Sequence, residues 1–481
     1  MTPRMLPGAL AALLLAVSAL RASAVGTRAF VFATDFSSGS IATIEFGPPR
    51  TAVADRAPVS ADAALRWFDG KLYVVERFGY DNIRVLDAGT FAVVNQFSVG
   101  NGANPNDIYV VSPTKAYVTR YDSADLWIVN PTTGAFVSAI SLAPFADRDG
   151  LPEMNRLAYH AGRLFVSCQR LDRDNFFSPT DSSLVVVIDT ATDTIVDADP
   201  VTPGTQGILL PRTNPTTEFA TTPEGDFLLG CTGAYGITDG GVARIDPRTL
   251  DASVVEVTEA ELGGDVNDVA VEPGGPCGSK AFCVISDASF NTKLVSYQRV
   301  GAPAVSTVFP ATGFVLADVE VNDRGEVWLC DRTPSAPGVR VFSCATGAQL
   351  TASPIGTGLP PSDIQFDAAE PVAVPPVAGG SGGVTLAGIA PNPAAGAGAT
   401  TIRLRVAASG ELRIAIVDAA GRTVRNFRRD LAGPAETQVA WDGRDDAGRT
   451  APPGVYLVRA SIAGWPGAAR GRVVRLGSAR L

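Results

Sequence analysis

Acidic side chains recur at one position of a repeated segment of the chain. The segment 104–140 contains four short runs that are rich in β-branched and aromatic residues and are separated by turn residues. Runs of this length and composition predict β-strands, and Asp107 stands immediately before the first of them. The positions that align with Asp107 in the other repeats are Ala64, Arg156, Glu218, Asp268, Asp318 and Asp363. Five of the seven aligned positions therefore carry a carboxylate.

These carboxylates and the amides beside them have the chemistry of a cation site. If the first strands of all repeats surround a central channel, their starting residues form a ring of oxygen atoms, which suits Ca²⁺ or another divalent cation. The predicted ligands are Asp107, Asn155, Glu218, Asn267, Asp268, Asp318 and Asp363. A second interpretation needs no metal, because an Asp before a strand commonly accepts hydrogen bonds from nearby backbone N–H groups.

A second group of polar residues follows the second strand of each repeat. Second strands end where first strands begin, so these residues are predicted to surround the same opening. The ligand-binding candidates are Arg77, Arg120, Tyr121, Asp122, Arg156, Gln169, Arg170, Asp287, Asp331 and Arg332. Arginine and carboxylate groups around an opening can hold a sugar or a carboxylate through paired hydrogen bonds. The alternative is an ordinary charged rim that binds nothing.

The strands that must position these residues recur along the chain. The second strand of the repeat is found seven times, with aligned large residues that are 43 to 63 positions apart. These residues are Phe30, Tyr73, Tyr117, Phe165, Leu228, Phe282 and Trp328. Four strands at such a period predict an all-β protein with a seven-bladed β-propeller. The first repeat lacks its first strand, and the segment 360–367 is expected to supply it and close the ring.

The two ends of the chain differ in composition from the repeats. Arg4, the apolar run after it and Ala22-Ser23-Ala24 predict a secretory signal peptide over 1–24, cleaved after Ala24. The propeller is predicted over 25–370 and a Pro- and Gly-rich linker over 371–383. Short alternating strands over 384–481 predict an immunoglobulin-like β-sandwich. The protein is therefore expected to be secreted or held at the cell surface, without a transmembrane span.

Charge is distributed unevenly between the two predicted domains. Residues 25–383 contain 42 acidic and 23 basic side chains, whereas residues 384–481 contain 7 acidic and 14 basic ones. An acidic propeller argues against nucleic acid as a partner and is compatible with cations or cationic ligands.

Six cysteines in an exported chain predict disulfide bonds. Short chain distances favour Cys277 with Cys283, and Cys330 with Cys344. Cys168 and Cys231 hold matching positions in successive blades, where the distance between them argues against a bond. Zinc is a rival interpretation, but the spacings include no close Cys-x-x-Cys pair.

The repeats over 28–367 resemble secreted seven-bladed propellers with YVTN-type surface-layer repeats and NHL-like repeats. That fold hosts enzymes, binding proteins and scaffolds alike, so the resemblance implies a fold and no single function. Among its members are lactonase and gluconolactonase propellers, which hold a divalent cation with Glu, Asn and Asp. The residues of matching type here are Asn155, Glu218, Asn267 and Asp268.

The C-terminal region resembles the immunoglobulin-like domain of the flagellar hook-capping protein FlgD and the sorting domains of the type IX secretion route. The residues that carry the resemblance are Pro391-Asn-Pro, the segment 417–424, the segment 441–448 and Pro453-Gly-Val-Tyr. Within these segments Trp441 and Tyr456 are expected to anchor a core. The resemblance implies surface display or anchoring, through contact with cell-envelope components.

The function that the sequence favours is therefore binding rather than catalysis. The chain has a single His and no Gly-x-Ser-x-Gly motif between a strand and a helix, so the familiar catalytic arrangements are missing. The first hypothesis is a secreted or surface protein whose channel mouth recognises a protein, a glycan or a small molecule. The alternatives are a metal-dependent hydrolase of the lactonase type and a structural component of a surface layer.

Overall fold

The computed structural model describes residues 26–180, 182–272, 277, 279–367, 384–390, 394–395, 399–406, 409–418, 422–431, 435–463 and 469–476. The chain divides into two compact units, Met1–Ala373 and Val374–Leu481. The predicted signal peptide and linker lie outside the described residues. In the described ranges no helix is both long enough and apolar enough to span a membrane.

The described residues of the larger unit form seven propeller sheets, called blades 1 to 7 in chain order, and one separate two-stranded sheet. Blade 1 begins with β1 (Arg28–Thr34), β2 (Gly39–Glu45) and β3 (Ala52–Val59). Blade 2 contains β4 (Ala63–Phe68), β5 (Lys71–Glu76), β6 (Asn82–Asp87) and β7 (Val93–Ser98). Blade 3 contains β8 (Pro105–Ser112), β9 (Lys115–Arg120), β10 (Asp125–Asn130) and β11 (Ala135–Ser141).

Blade 4 carries the largest insertions. Its strands are β12 (Met154–His160) and β13 (Arg163–Cys168), then a separate hairpin of β14 (Leu171–Asp172) and β15 (Ser178–Pro179), then β16 (Leu184–Asp189), β17 (Thr194–Val196) and β18 (Ile208–Leu209). Short 3-10 helices occupy Ala143–Phe145 and Arg173–Asn175. Blade 5 contains β19 (Pro215–Thr221), β20 (Phe227–Cys231), β21 (Gly241–Asp246) and β22 (Asp251–Thr258), and α1 (Glu259–Leu262) follows it.

The last two blades and the closing strand complete the ring. Blade 6 contains β23 (Asp265–Val271), β24 (Lys280–Ser286), β25 (Thr292–Gln298) and β26 (Ser306–Pro310). Blade 7 contains β27 (Leu316–Val321), β28 (Glu326–Asp331) and β29 (Gly338–Ser343), and β30 (Pro361–Phe366) follows. Isolated bridges of Val339 with Ile355 and of Phe342 with Gln349 run along the outer side of blade 7.

The ring closes as the sequence predicts. β30 pairs antiparallel with β1, with Ile364 opposite Val31 and Gln365 opposite Phe30, so it becomes the innermost strand of blade 1. The Asp367 carboxylate then accepts hydrogen bonds from the backbone N–H groups of Thr27 (2.6 Å) and Arg28 (3.0 Å). Both ends of the propeller are thus held in one sheet, which leaves no open blade edge at the junction.

The second strand of each blade is buried on both faces because it lies between two neighbouring blades. Each pair of adjacent blades shares its own hydrophobic cluster, including the pair formed by blades 7 and 1. All seven aligned large residues of the second strands are buried. The core of this unit is therefore a set of seven interfaces rather than one centre, which is why the second strand is the clearest repeat in the sequence.

The predicted disulfide pairs are wrong. Cys277 is bonded to Cys344, whereas Cys283 and Cys330 are free and buried, as are Cys168 and Cys231. Cys277 precedes β24 and Cys344 follows β29, and both positions lie at the end of the blades opposite the starts of the first strands. Cys283 and Cys330 lie inside second strands of different blades. Adjacency in space, across blades 6 and 7, decides the pairing rather than distance along the chain.

The smaller unit is the predicted immunoglobulin-like sandwich. Its strands are β31 (Val384–Ala390), β32 (Ala394–Ala395), β33 (Thr400–Val406), β34 (Gly410–Asp418), β35 (Thr423–Leu431), β36 (Ala435–Trp441), β37 (Gly454–Ile462) and β38 (Ala469–Leu476). One sheet has the order β31-β33-β36 and the other has the order β32-β38-β37-β34-β35. Trp441 and Tyr456 are buried with ring centroids 5.0 Å apart, which confirms them as core anchors.

Candidate functional site

The innermost strands of the seven blades surround a narrow channel. Each of β4, β8, β12, β19, β23, β27 and β30 contacts the innermost strand of the blade on either side. The end of the channel at which these strands begin is called the mouth, and the face of the propeller around it is called the mouth face. A cavity of about 110 Å³ lies at the mouth. Its lining includes Arg156, Glu218, Asp268, Asp318 and Asp363.

Four of the ring aspartates connect neighbouring blades. Asp107 accepts the backbone N–H of Leu157 (2.8 Å) in the next blade. The same arrangement repeats at three further junctions: Val319 N–H donates to Asp268 (2.8 Å), Ile364 N–H donates to Asp318 (2.9 Å), and Leu65 N–H donates to Asp363 (2.7 Å). The aspartates therefore do accept backbone N–H groups, as the second interpretation expects; Asp107 and Asp268 also accept the N–H of the following residue, but the donors above lie in the next blade.

A guanidinium group that the sequence reasoning missed lies across the channel. Arg66 of β4 donates through Nε and Nη2 to the two oxygens of Asp107 (both 2.7 Å) and through Nη1 to Glu218 (2.5 Å). Arg156 of β12 donates to the other oxygen of Glu218 (3.2 Å). Alternation along β4 carries the signal for Arg66, because it stands two residues after Ala64 and so points to the same side of the strand.

Glu320 is a second residue that the alignment missed. It stands two residues after Asp318 on β27 and therefore points to the same side of that strand, deeper along the channel. Neither a hydrogen bond nor an ion pair of its carboxylate is found among the described residues, and its side chain is half-buried. Burial first, and repulsion from Glu218 second, raise the pKa of Glu320 well above its ordinary value.

Other channel carboxylates are also shifted toward the protonated form. Burial raises the pKa of Asp268 to about 7 and the pKa of Asp363 to about 6. Burial and the charge of Asp268 raise the pKa of Asp318 well above its ordinary value. The cause is common to all of them, because the narrow channel removes water from several like charges that lie close together.

The predicted divalent-cation site stays a prediction, and several of its residues have partners within the protein. Within the described ranges, the one group of three acidic, Cys or His side chains with ligand atoms close enough to share a metal is Glu272 with Cys277 and Cys344, and these cysteines are bonded to each other. Asn155 donates to the carbonyls of Pro215 and Thr216 and accepts from Asn106. The buried amide of Asn267 makes no hydrogen bond to any described residue. Four of the carboxylates, those of Asp107, Asp268, Asp318 and Asp363, each serve a different junction between blades.

Most of the predicted rim candidates already have partners inside the protein. Arg77 is paired with Asp62, Asp122 with Arg173, and Asp331 with Arg340. Gln169 donates to Asn214, Arg120 donates to the Val99 carbonyl, and Arg332 donates to the Pro360, Pro361 and Thr34 carbonyls. Asp287 holds its own turn, where backbone N–H groups first and Lys293 second lower its pKa to about 2.

The candidates that remain are Arg156, Arg170 and Tyr121. Arg156 lines the mouth cavity, as does Arg77. Arg170 lines a different cavity of about 840 Å³ between the outer parts of blades 4 and 5. Tyr121 lies under the guanidinium of Arg173, 5.4 Å from the ring centroid, and burial raises its pKa well above the ordinary value. The structure thus brings Arg77 and Arg156 into the channel mouth and distributes the others around it.

Exposed aromatic side chains surround the mouth, and the sequence reasoning missed them. They stand in the loops between second and third strands, which all lie on the mouth face. This set, called the aromatic crown, comprises Phe36, Phe78, Tyr80, Phe176, Phe177, Tyr235 and Phe290. Their exposed fractions range from 50% for Phe177 to 94% for Phe176. The signal is visible in the sequence, because aromatic residues occupy turns where polar ones are expected.

Four residues of the aromatic crown have a strained backbone conformation. Phe36, Phe176, Phe177 and Phe290 have φ angles of 67°, 55°, 56° and 58°, in the left-handed region that bulky residues rarely adopt. Phe91 has a similar angle, but its ring is buried in the core between blades 1 and 2, so packing explains it. The crown rings have no such packing. Strained residues of this kind concentrate at functional sites.

The channel carboxylates give a pH prediction. In the folded protein Asp268 holds its proton up to about pH 7, whereas the unfolded chain releases it near pH 4. The folded state therefore binds more protons between these values, and stability falls as pH rises through this window. The groups that face Asp268 from the other innermost strands are Arg66, Asp107, Arg156, Glu218, Asp318, Glu320 and Asp363.

We expect the unfolding free energy of the protein, measured by urea titration, to be larger at pH 5 than at pH 8 by at least about 1 kcal/mol. The urea midpoint should be correspondingly higher at pH 5. Asp268→Asn cannot titrate and should make the midpoint depend less on pH. Urea titrations of both proteins at pH 5, 6, 7 and 8 measure this. A wild-type midpoint that rises steadily with pH would contradict the assignment.

Comparison with known proteins supports both folds. Residues 391–464 match the FlgD Ig-like domain family, so the C-terminal unit is an FlgD-like Ig domain. The chain is similar to PorZ, a surface component of the type IX secretion system of Porphyromonas gingivalis, at 15% identity and a TM-score of 0.44. That similarity covers 92% of this chain and 64% of PorZ, so the chain spans less than two thirds of that protein.

Two further solved structures align over the propeller. A putative 6-phosphogluconolactonase from Bacteroides fragilis is 13% identical with a TM-score of 0.50, covering 72% of this chain and 99% of that one. A Lactobacillus plantarum protein is 11% identical with a TM-score of 0.50, covering 71% and 99%. At such low identity these similarities show the propeller fold alone. No curated protein sequence matches this chain.

Proposed function

We propose that this is an exported binding protein, whose propeller recognises a partner through the mouth face and whose FlgD-like Ig domain anchors or sorts it at the cell surface. The observation that carries the proposal is the aromatic crown. Its side chains are at least half exposed, and four of them stand on a backbone conformation that costs free energy. Exposed apolar groups around an opening mark interaction sites on soluble proteins.

The channel itself supports binding over catalysis. Its Asp107 is engaged by Arg66 and Leu157, and its Glu218 by Arg66 and Arg156. Asp268, Asp318 and Asp363 each accept a backbone N–H of the next blade, so they too have structural partners. The lactonase hypothesis stays a prediction, and these structural partners favour binding over it.

The C-terminal unit supports the anchoring role. Its family match, the signal peptide predicted over 1–24 and the Cys277–Cys344 disulfide all agree with a protein that leaves the reducing cytoplasm. Its arginine-rich composition, opposite in sign to the propeller, suits contact with an anionic envelope component.

Site-directed photo-crosslinking on cells that display the full chain tests the proposal. A benzophenone amino acid replaces Phe36 or Phe290 in the crown, and in matched controls it replaces Phe136 on the outer strand or Val300 on the opposite face, which are also exposed. We expect the crown positions to give at least about tenfold more crosslinked product than the controls, because a specific partner covers one face. A chain ending at residue 383 should appear in the medium instead of on cells.

Equal crosslinking at all four positions would contradict a binding role for the mouth face. Retention of the shortened chain on the cell surface would contradict the anchoring role of the Ig domain, without bearing on the crown.

A further inference from the structure

The mouth combines two features that a partner must match at once. At the centre, six carboxyl groups face the channel against the guanidinium groups of Arg66 and Arg156, and their excess negative charge develops as Asp363 and Asp268 lose their protons between about pH 6 and pH 7. These carboxylates are Asp107, Glu218, Asp268, Asp318, Glu320 and Asp363. Around the centre stands the aromatic crown. A ligand that neutralises the excess negative charge and covers the rings satisfies both.

We propose that the mouth face binds a basic protein segment, with one Lys or Arg side chain entering the channel cavity and the adjoining apolar side chains of the segment packing on the aromatic crown. This inference rests on the proposed binding function and adds the chemistry of the partner.

The size of the cavity supports entry of a single side chain. A volume of about 110 Å³ accommodates one long basic side chain, whereas a drug-sized ligand occupies a pocket of about 300 Å³ or more. Small residues leave the entrance open, since Ala63, Ala64 and Ala317 are part of the lining. Ala64 occupies one of the two aligned positions that lack a carboxylate. Its small side chain widens the mouth on the side of blade 2.

Hydrogen-bond acceptors remain available inside the channel. The buried amide of Asn267, which lines the cavity, makes no hydrogen bond to any described residue. Buried polar atoms of this kind are rare in folded proteins and commonly indicate a ligand or water. Carboxylate and amide oxygens both accept hydrogen bonds from an ammonium or guanidinium group, which has donors only.

Two rings of the aromatic crown contact cationic side chains of the same protein. The guanidinium of Arg332 lies 4.5 Å from the ring centroid of Phe36, and that of Arg173 lies 5.8 Å from the ring centroid of Phe177. Ring faces attract cations by their quadrupole. The remaining crown rings, including Phe290 and Phe78, offer the same surface to the basic and apolar side chains of a partner.

Charge also excludes other partners. The propeller region 25–383 has 42 acidic against 23 basic residues, so anionic lipid, nucleic acid and acidic glycans are repelled. A neutral glycan could stack on the rings, but it would not neutralise the channel. The observations therefore favour a basic protein segment over these classes.

Binding of fluorescein-labelled hexaarginine to the full chain, followed by anisotropy at pH 8, tests the inference. Hexaglutamate is the control probe. We expect micromolar affinity for hexaarginine that falls about tenfold or more between 50 and 300 mM salt, and no binding of hexaglutamate. Asp363→Asn keeps an oxygen for the Leu65 N–H and removes a charge that the cavity lining carries at pH 8, and we expect it to weaken binding about fivefold or more.

Phe290→Gly is the matching crown variant, since glycine accepts the left-handed backbone at this position and the protein should fold at least as well. We expect it to weaken hexaarginine binding, whereas Val300→Ser on the opposite face should not. Absence of hexaarginine binding, or binding that neither Asp363→Asn nor Phe290→Gly weakens, would overturn the inference. Phe290-dependent binding to neutral phosphatidylcholine vesicles without hexaarginine binding would overturn it in favour of a lipid surface.

The outcomes separate this inference from the proposed function. Strong crosslinking at Phe36 and Phe290 on cells without hexaarginine binding would leave the mouth face as a binding face and reject the basic segment. Absence of both would reject the two together.

Discussion

Asp107→Ala should destabilise the propeller by about 3 to 5 kcal/mol, the largest effect we expect from a single substitution in the channel. The Asp107 side chain is fully buried and satisfies two groups at once. It accepts hydrogen bonds from Nε and Nη2 of Arg66 and from the backbone N–H of Leu157 in the next blade. Its removal takes from a largely buried cation the carboxylate that binds it through two hydrogen bonds, and takes from the Leu157 N–H its acceptor.

Urea unfolding of the variant against wild type, at constant pH, measures the loss. Asp107→Asn keeps an oxygen for Leu157 and is expected to lose less than half as much. Asp199→Ala, in an exposed turn, is the matched control and should change little. A midpoint for Asp107→Ala that equals wild type would show that the aspartate does not join the blades.

Removal of the Cys277–Cys344 disulfide should lower the unfolding free energy by up to about 4 kcal/mol. The bond joins blades 6 and 7 and closes a loop with a sequence separation of 67 residues, so its loss gives the unfolded chain more freedom. The variant with both cysteines replaced by alanine should unfold at lower urea than wild type. Addition of a reductant should shift wild type toward the variant and leave the variant unchanged.

The free cysteines provide the control for that experiment. Cys283→Ala should not reproduce the reductant-sensitive loss, because Cys283 is buried and unbonded. If instead Cys283→Ala abolished the effect of the reductant, Cys283 would have to be a bonded partner, as chain distance alone suggested.

The propeller could be predicted because its physics is repeated in the sequence. A strand buried on both faces must be apolar at successive positions, and seven such strands made the period plain before any coordinates. Closure followed from a missing strand at one end and a surplus strand at the other, and β30 does pair with β1. The FlgD-like Ig domain could be predicted because its core anchors Trp441 and Tyr456 stand in distinctive turns.

The channel was predicted in position but not in role. The aligned aspartates do lie near the start of the innermost strands. The sequence cannot show, however, which of their carboxylate oxygens will accept a hydrogen bond from a backbone N–H of the next blade. Leu157, Val319, Ile364 and Leu65 supply those N–H groups, so four of the aligned aspartates join neighbouring blades. The cation that balances Asp107 is Arg66, which stands two residues after the aligned position Ala64 and was therefore not part of the alignment.

The crown was overlooked for a different reason. The sequence reasoning looked for polar groups at the ends of second strands, whereas the residues that remain exposed there are aromatic. Polar candidates such as Arg332 and Asp331 are occupied by neighbouring backbone and side chains, and Phe36 and Phe290 project beyond them. Which side chain at a rim stays free is settled by packing between blades, and a single sequence does not show it.

The position dependence of photo-crosslinking on intact cells tests the central claim most directly. With the probe at position 290 of the mouth face and, separately, at position 300 of the opposite face, we predict a strong crosslinked band for position 290 and background for position 300. Equal bands, or a stronger band at position 300, would contradict a propeller that meets its partner at the channel mouth.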